Sequence, residues 1–204
     1  FSKEEQKILI SAGINLLRHA GAGNINAFRA GGFGFNSDTL SSLYANCIAF
    51  DSSYNATIFG ADSGVMPGTM VVEPIEHNHV FEYPVMVFKD GMDTLRHVQL
   101  TACSWEEIER LLWGALESRR KAFVILSHCF ELLNKTKNRP DNIVVNRFRK
   151  LCSFLDRNRD SFRVCGFNKL CPKHSIKKQP APLETSFLST GKRIIEQIYR
   201  RIYQ

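Results

Sequence analysis

The sequence predicts an α/β fold of parallel strands with flanking helices, followed by a C-terminal amphipathic helix. Two observations carry that class. Short apolar runs alternate with segments whose apolar residues recur every three or four positions, the signature of βα units. Three of the apolar runs stop at a polar side chain, Arg29, Asp51 or His128. In parallel α/β sheets, ligands bind at the carboxyl ends of the strands.

The chain has 204 residues, 44% of them hydrophobic and 23% charged. This suits one globular domain with a sizeable core. No apolar run approaches the ~18 residues that span a membrane. The net charge of +7 is local: from Lys169 onward eight Lys or Arg stand against two acids, Glu184 and Glu196. The basicity therefore belongs to a tail, which removes the composition-based case for a nucleic-acid partner. No signal peptide is visible in a sequence that opens on Phe1. The six cysteines, at 47, 103, 129, 152, 165 and 171, include no C-x-x-C pair, so a zinc-finger reading is poor. Most lie in apolar runs and are expected to be buried reduced thiols of a reducing, cytoplasmic compartment.

Taken in order, Ser2 and Glu5 form a capping box that opens a helix with Ile10, Ile14 and Leu17 as its stripe, ending near His19. A strand over 25–28 leads into Arg29-Ala30-Gly31-Gly32-Phe33-Gly34. There a buried cation is expected beside glycines that let backbone approach a ligand. Asn36, Ser37 or Asp38 caps the next helix, over about 37–46. Residues 47–54 read as a short strand ending at Asp51. Residues 69–73, 80–88 and 97–101 read as further strands, with Pro84 marking an edge or bulge. His77 and His79 flank a turn, and nothing nearby completes a metal site around them.

Ser104 and Glu107 form a second capping box, ahead of a helix with Ile108, Leu111, Leu112 and Ala115 on one face. The most apolar run, 122–126, is expected as a central parallel strand. It ends in Ser127-His128; a lone histidine is more often structural, but this is the third polar residue in the same topological place. Val144, Phe148, Leu151 and Leu155 mark another helix, and 162–165 a last strand. Residues 167–188, with Pro172, Pro180 and Pro182, are linker-like. A helix from Ser189 or Thr190 then sets Ile194, Ile195, Ile198, Tyr199 and Ile202 against a basic face. Such a helix more often packs its apolar face on its own domain than lies on an anionic membrane. Asn55 and Asn134 stand in glycosylation sequons, a pattern common by chance.

Four stretches together are fairly specific: Ala27-Phe28-Arg29-Ala30-Gly31-Gly32-Phe33-Gly34, Asp38-Thr39-Leu40, Phe50-Asp51-Ser52-Ser53-Tyr54 and Ile125-Leu126-Ser127-His128. In this order and spacing they resemble polysaccharide deacetylases with the NodB-like homology domain, a carbohydrate esterase type. Within these they resemble the bacterial branch linked to exopolysaccharide biosynthesis. The resemblance runs from about residue 2 to 167 and implies a partial (β/α) barrel over 1–167, lacking its first strands, with a basic linker and helix over 168–204.

The implied activity is metal-dependent hydrolysis of N-acetyl or O-acetyl groups on a polysaccharide or glycan. The metal, zinc in many relatives, polarises the carbonyl and activates water. By the same resemblance Arg29 orients the catalytic base and His128 is the general acid. Asp51, Phe33 and Tyr54 are implied in substrate binding. Gly31 stands where the family has a proline, and Tyr54 where it has a second aspartate. The family's acidic motif and histidine pair, which hold the metal, lie ahead of the matched region. No metal ligand is therefore expected in this chain, and those motifs are expected upstream of Phe1 in the intact protein. Two other readings stand beside this one. One is a non-catalytic carbohydrate-binding relative; the other is a membrane-surface protein acting through residues 189–204.

Overall fold

The computed structural model describes residues 1–62, 64–136, 138–171 and 178–203. Among them the chain is mixed α/β, with six helices and two small sheets. It divides into two compact units. The first comprises residues 1–85 and 165–180, the second 86–164 and 181–204.

In the first unit, helix α1 (Lys3–His19) begins with the predicted reciprocal bonds between Ser2 and Glu5. It ends with His19 Nδ1 2.7 Å from the Asn15 carbonyl, a structural role as read from the sequence. Helix α2 (Ser37–Ala45) is capped by Asn36. It is tied to α1 by Ser42 Oγ donating to Lys3 O at 3.0 Å and Asn46 Nδ2 donating to Lys7 O at 3.1 Å. Strand β1 (Ala27–Phe28) and strand β2 (Phe50–Asp51) run parallel; a short helix α3 (Ala56–Phe59) follows β2. Strand β3 (Ile75–His77) pairs antiparallel with β4 (Val80–Glu82), and β4 lies parallel to β2, giving the order β1-β2-β4-β3. Leu40, Leu43, Phe50, Tyr54, Val71, Val80 and Val85 are buried beneath this sheet and its helices. Phe167 closes the cluster against the Phe50 and Tyr83 rings.

In the second unit, β5 (Val87–Lys89) lies between β6 (Leu95–His97), antiparallel, and β7 (Leu183–Glu184), parallel. Helix α4 (Trp105–Glu117) starts at the predicted Ser104–Glu107 capping box. Helix α5 (Asn142–Arg157) starts where Asp141 accepts from the Ile143 and Val144 N–H groups. The core joins Phe88, Val98, Leu100, Ile108, Leu111, Val144, Leu151 and Phe154. Helix α6 (Phe187–Tyr203) ends the described chain, beginning two residues before the predicted start.

Several expectations change. The strands are two or three residues long and form two mixed sheets, with no closed barrel among the described residues. Residues 69–73 are not a strand, because side chains take their backbone donors. The Val72 and Glu73 N–H groups both donate to Gln179 Oε1 at 2.8 Å, and Val71 N–H donates to Tyr54 Oη at 3.1 Å. The 80–88 strand is broken at Pro84, which has no N–H to offer. Beyond it, Val85 N–H goes to Tyr54 O and Met86 N–H to Val124 O.

The run 122–126 is not a central strand. It makes a single bridge, Leu126 to Gln99, because both edges of β5 are already occupied by β6 and β7. Residues 162–165 form no strand either; Val164 is largely exposed. Of the six cysteines only Cys103 is buried, where burial pushes its thiol up to about 11; the other five are exposed free thiols. A short apolar run is not enough to bury a residue when it lies on the outer face of its helix, as Cys152 does in α5. Pro172 of the expected linker lies outside the described residues. Pro180, Ala181 and Pro182 lead directly into β7.

Candidate functional site

Strand register places three residues in a row. Phe28 pairs with Asp51, and Asp51 with Glu82, across parallel β1, β2 and β4. Arg29 leaves the end of β1 and lays its guanidinium on the segment after β2. Its Nε donates to Ser52 O at 2.9 Å and its Nη2 to Ser52 Oγ at 2.8 Å. Ser52 Oγ in turn donates a hydrogen bond to Tyr83 O at 2.7 Å, so this serine connects the ends of all three strands. Ser53 makes the second connection: it accepts from Ala30 N–H at 2.9 Å and donates to Asp51 Oδ1 at 2.7 Å. Arg29 is thus on the rim predicted for it, but the residue is exposed rather than buried. Partial burial pushes its pKa below the ordinary value, while the Asp51 and Glu82 carboxyls act the other way.

Asp51 and Glu82 are fully buried. Glu82 Oε1 accepts from Tyr54 N–H at 3.1 Å, and Oε2 faces no N–H or O–H donor among the described residues. Burial first, then the hydrogen bond and the charge of Asp51, hold the Glu82 carboxyl well above the usual carboxylate range. Two neighbouring buried carboxyls cannot both ionise cheaply. The shared burial of the two carboxyls thus favours the proton-bound form of Glu82.

Asp51 and Tyr54 are enclosed in the unit and turn no side-chain surface to solvent; the expectation that they bind substrate directly gives way to a role in shaping the rim. Tyr54 Oη donates to Gly60 O and accepts from Val71 N–H, and its ring meets Phe35 and Phe59. Phe33 is half-buried on the loop after Arg29. Its φ of 60° follows Gly32 at 59°, a left-handed backbone that a bulky residue adopts only under constraint. A cleft of about 340 Å³ in this unit is lined by Leu9, Ile10, Phe28, Phe35 and Phe59 with Gln6, Asn36 and Thr39 among its walls, and does not include Arg29, Asp51 or Glu82.

His128 belongs to the second unit. It begins the 3-10 turn Cys129–Leu132, which brings Glu131 back beneath it. Its Nδ1 lies 2.7 Å from Glu131 Oε1, and its ring stacks on Phe130 at 5.0 Å between centroids. The Glu131 side chain is 8% exposed and that of His128 54%. Gln99 Nε2 donates to the same Glu131 oxygen, and Gln99 Oε1 meets His97 Nε2 at 3.0 Å. A withdrawn carboxylate thus fixes one ring nitrogen and leaves the other, Nε2, at the exposed side, the arrangement of an oriented acid or base.

Sequence reading missed Glu82, Glu131 and Ser52. Glu82 was visible as a carboxylate closing an apolar run, like Asp51. Glu131 was visible only as an acid three residues after His128. Among the described residues no group of three or more His, Cys, Asp or Glu is placed to hold a metal, His77 and His79 included. No family model, curated protein or solved structure matches the chain.

Proposed function

We propose that this chain is part of a hydrolase that removes acetyl groups from the amino or hydroxyl positions of a polysaccharide, in the manner of the bacterial exopolysaccharide deacetylases it resembles. The finer architecture that goes with this reading is a partial (β/α) barrel. The observation that carries the proposal is the row formed by Arg29 and Asp51 at the ends of adjacent parallel strands, in the order the resemblance requires. The oriented His128 adds to it. Acetyl hydrolysis needs a proton for the departing amine or alkoxide as the bond to the carbonyl carbon breaks. By the resemblance, His128 would supply that proton from Nε2, its ring held by Glu131 through Nδ1, and Arg29 would orient the catalytic base.

The divalent metal implied by the family does not fit the carboxyls present. Both oxygens of Asp51 are already held by Ser53, Oδ1 by its hydroxyl at 2.7 Å and Oδ2 by its N–H at 3.3 Å, and burial holds the Glu82 carboxyl well above the range in which it readily gives up its proton. In the family it resembles, the ligands come from motifs ahead of the matched region. A carbohydrate-binding relative without catalysis is the second reading, favoured by the full enclosure of Asp51. The deciding experiment is acetate release from acetylated polysaccharide by the intact protein and by its His128→Ala variant. Loss of release in the variant supports the hydrolase. Release unchanged in the variant removes His128 from the mechanism, and polysaccharide binding without any release favours the second reading.

A further inference from the structure

Helix α6 is seated the wrong way round for an amphipathic helix. Its polar side faces the protein: Thr190 and Arg193 are 1% and 2% exposed. Arg193 donates to Asp90 at 2.8 Å and to Glu107 at 3.1 Å, both buried. Glu196 meets Arg147 at 2.5 Å, Arg200 meets Asp141 at 2.7 Å, Gln197 donates to Ala102 O and Thr190 Oγ1 accepts from Gly91 N–H. Rolling the helix to bury its apolar side would strand Asp90, Glu107 and Asp141 without their partners, so the seating is fixed by charge.

The apolar stripe is left outside. Phe187, Leu188, Ile195, Ile198 and Ile202 are each more than half exposed. They recur at helical spacing over four turns, a length of about 24 Å. Among the described residues no helix is long and apolar enough to cross a membrane. The expectation that this face packs on its own domain is overturned.

We propose that this face docks on an anionic lipid surface, with α6 lying in the plane of the headgroups. Charge chooses the occupant. The exposed charged residues of α6 are Lys192 and Arg201, both cations, while its one acid, Glu196, is turned to Arg147. Lys192 is only loosely matched, 3.8 Å from Glu106. Apolar side chains flanked by cations suit acyl chains below anionic headgroups. Tyr199 and Tyr203, with ring centroids 4.6 Å apart at the end of the stripe, have the apolar body and polar tip that sit at headgroup level. Two copies of the face, by contrast, offer each other only like charge along the helix. The inference does not depend on the deacetylase reading.

The test is flotation of the intact protein with vesicles of phosphatidylcholine alone and of phosphatidylcholine mixed with phosphatidylglycerol. Binding is expected to be about tenfold or more stronger to the anionic vesicles, and to weaken with salt. The double variant Ile195→Glu/Ile198→Glu changes only exposed positions, so its melting temperature should match the wild type while vesicle binding falls about tenfold or more. Lys192→Glu/Arg201→Glu should lose the preference for anionic lipid. The proposal is overturned if the wild type ignores anionic vesicles or if the isoleucine variant floats as well as the wild type. It is also overturned if the wild type is a dimer that the isoleucine variant converts to monomer, which makes a second copy the occupant.

Discussion

Asp51 and Glu82 face each other in register across parallel β2 and β4, both fully buried, and the Glu82 carboxyl is held well above its usual range. This carboxyl pair lies beneath the Arg29 rim and makes the first unit sensitive to pH. Glu82 holds its proton more tightly in the folded chain than in the unfolded one. Its stabilising contribution is therefore complete below the ordinary glutamate range and is lost as pH rises from that range toward the raised folded value. Across that window the first unit should lose up to about 1.4 kcal/mol per pH unit. Glu82→Gln keeps an acceptor for Tyr54 N–H and a donor for Asp51 without a titrating proton. Thermal melts of this variant should be flatter with pH than those of the wild type and should end higher at alkaline pH. A wild-type melting profile that does not fall with pH would show that the pair is not protonated as described.

Arg193 is the only cation among the described residues bonded to both Asp90 and Glu107. Although burial pushes the Asp90 carboxyl up, the Arg193 hydrogen bond and two backbone N–H donors outweigh it and hold the group below its ordinary value. For Glu107 burial wins, and its carboxyl is held above the ordinary value despite Ser104 and Arg193. Arg193→Met should cost about 3–5 kcal/mol in urea unfolding, because it leaves buried charge unmatched. Arg201→Met, on the exposed side of the same helix, should cost less than about 0.5 kcal/mol.

Gly91 meets the start of α6 with no room for a side chain. A Cβ there would lie 2.3 Å from Phe187 Cα and 2.4 Å from Phe187 N. Gly91→Ala must push the helix entry away and weaken the bond from Gly91 N–H to Thr190. The expected loss is about 1–3 kcal/mol, read from denaturant unfolding, with faster amide exchange across 187–193.

On the proposed hydrolase reading, Glu131 should act only through His128. Glu131→Gln in the intact protein is expected to lower kcat for acetate release by about tenfold or more with little change in KM, since the ring loses its fixed orientation. His128→Ala should cost about 10²–10⁴ in rate. If Glu131→Gln and Glu131→Ala both leave kcat unchanged, the contact at Nδ1 is packing and no more.

The helices were the legible part of this chain. Ser2, Asn36 and Ser104 announce α1, α2 and α4 by local bonds that need no tertiary context. Sheet membership was not local. Val71 and Val72 look like strand residues, and only the arrival of Gln179 and Tyr54 takes their backbone away from a ladder. The rim position of Arg29 and Asp51 was readable because strand ends and glycines carry it. The partners that define its chemistry, Ser52 and Glu82, emerge only once register is known. For α6, periodicity revealed two faces but not which one would turn inward. That depended on Asp90, Glu107 and Asp141, each far away in sequence.

The pairing of Val72 and Glu73 with Gln179 also sets a timetable. The two N–H groups wait for a side chain 107 and 106 residues further along the chain. At the roughly 5–20 residues per second of protein synthesis, that partner leaves the ribosome about 5–20 s after they do. Until then the Val72 and Glu73 N–H groups lack the acceptor that the folded unit gives them. The first unit therefore completes this contact only after most of the second, residues 86–164, has been made.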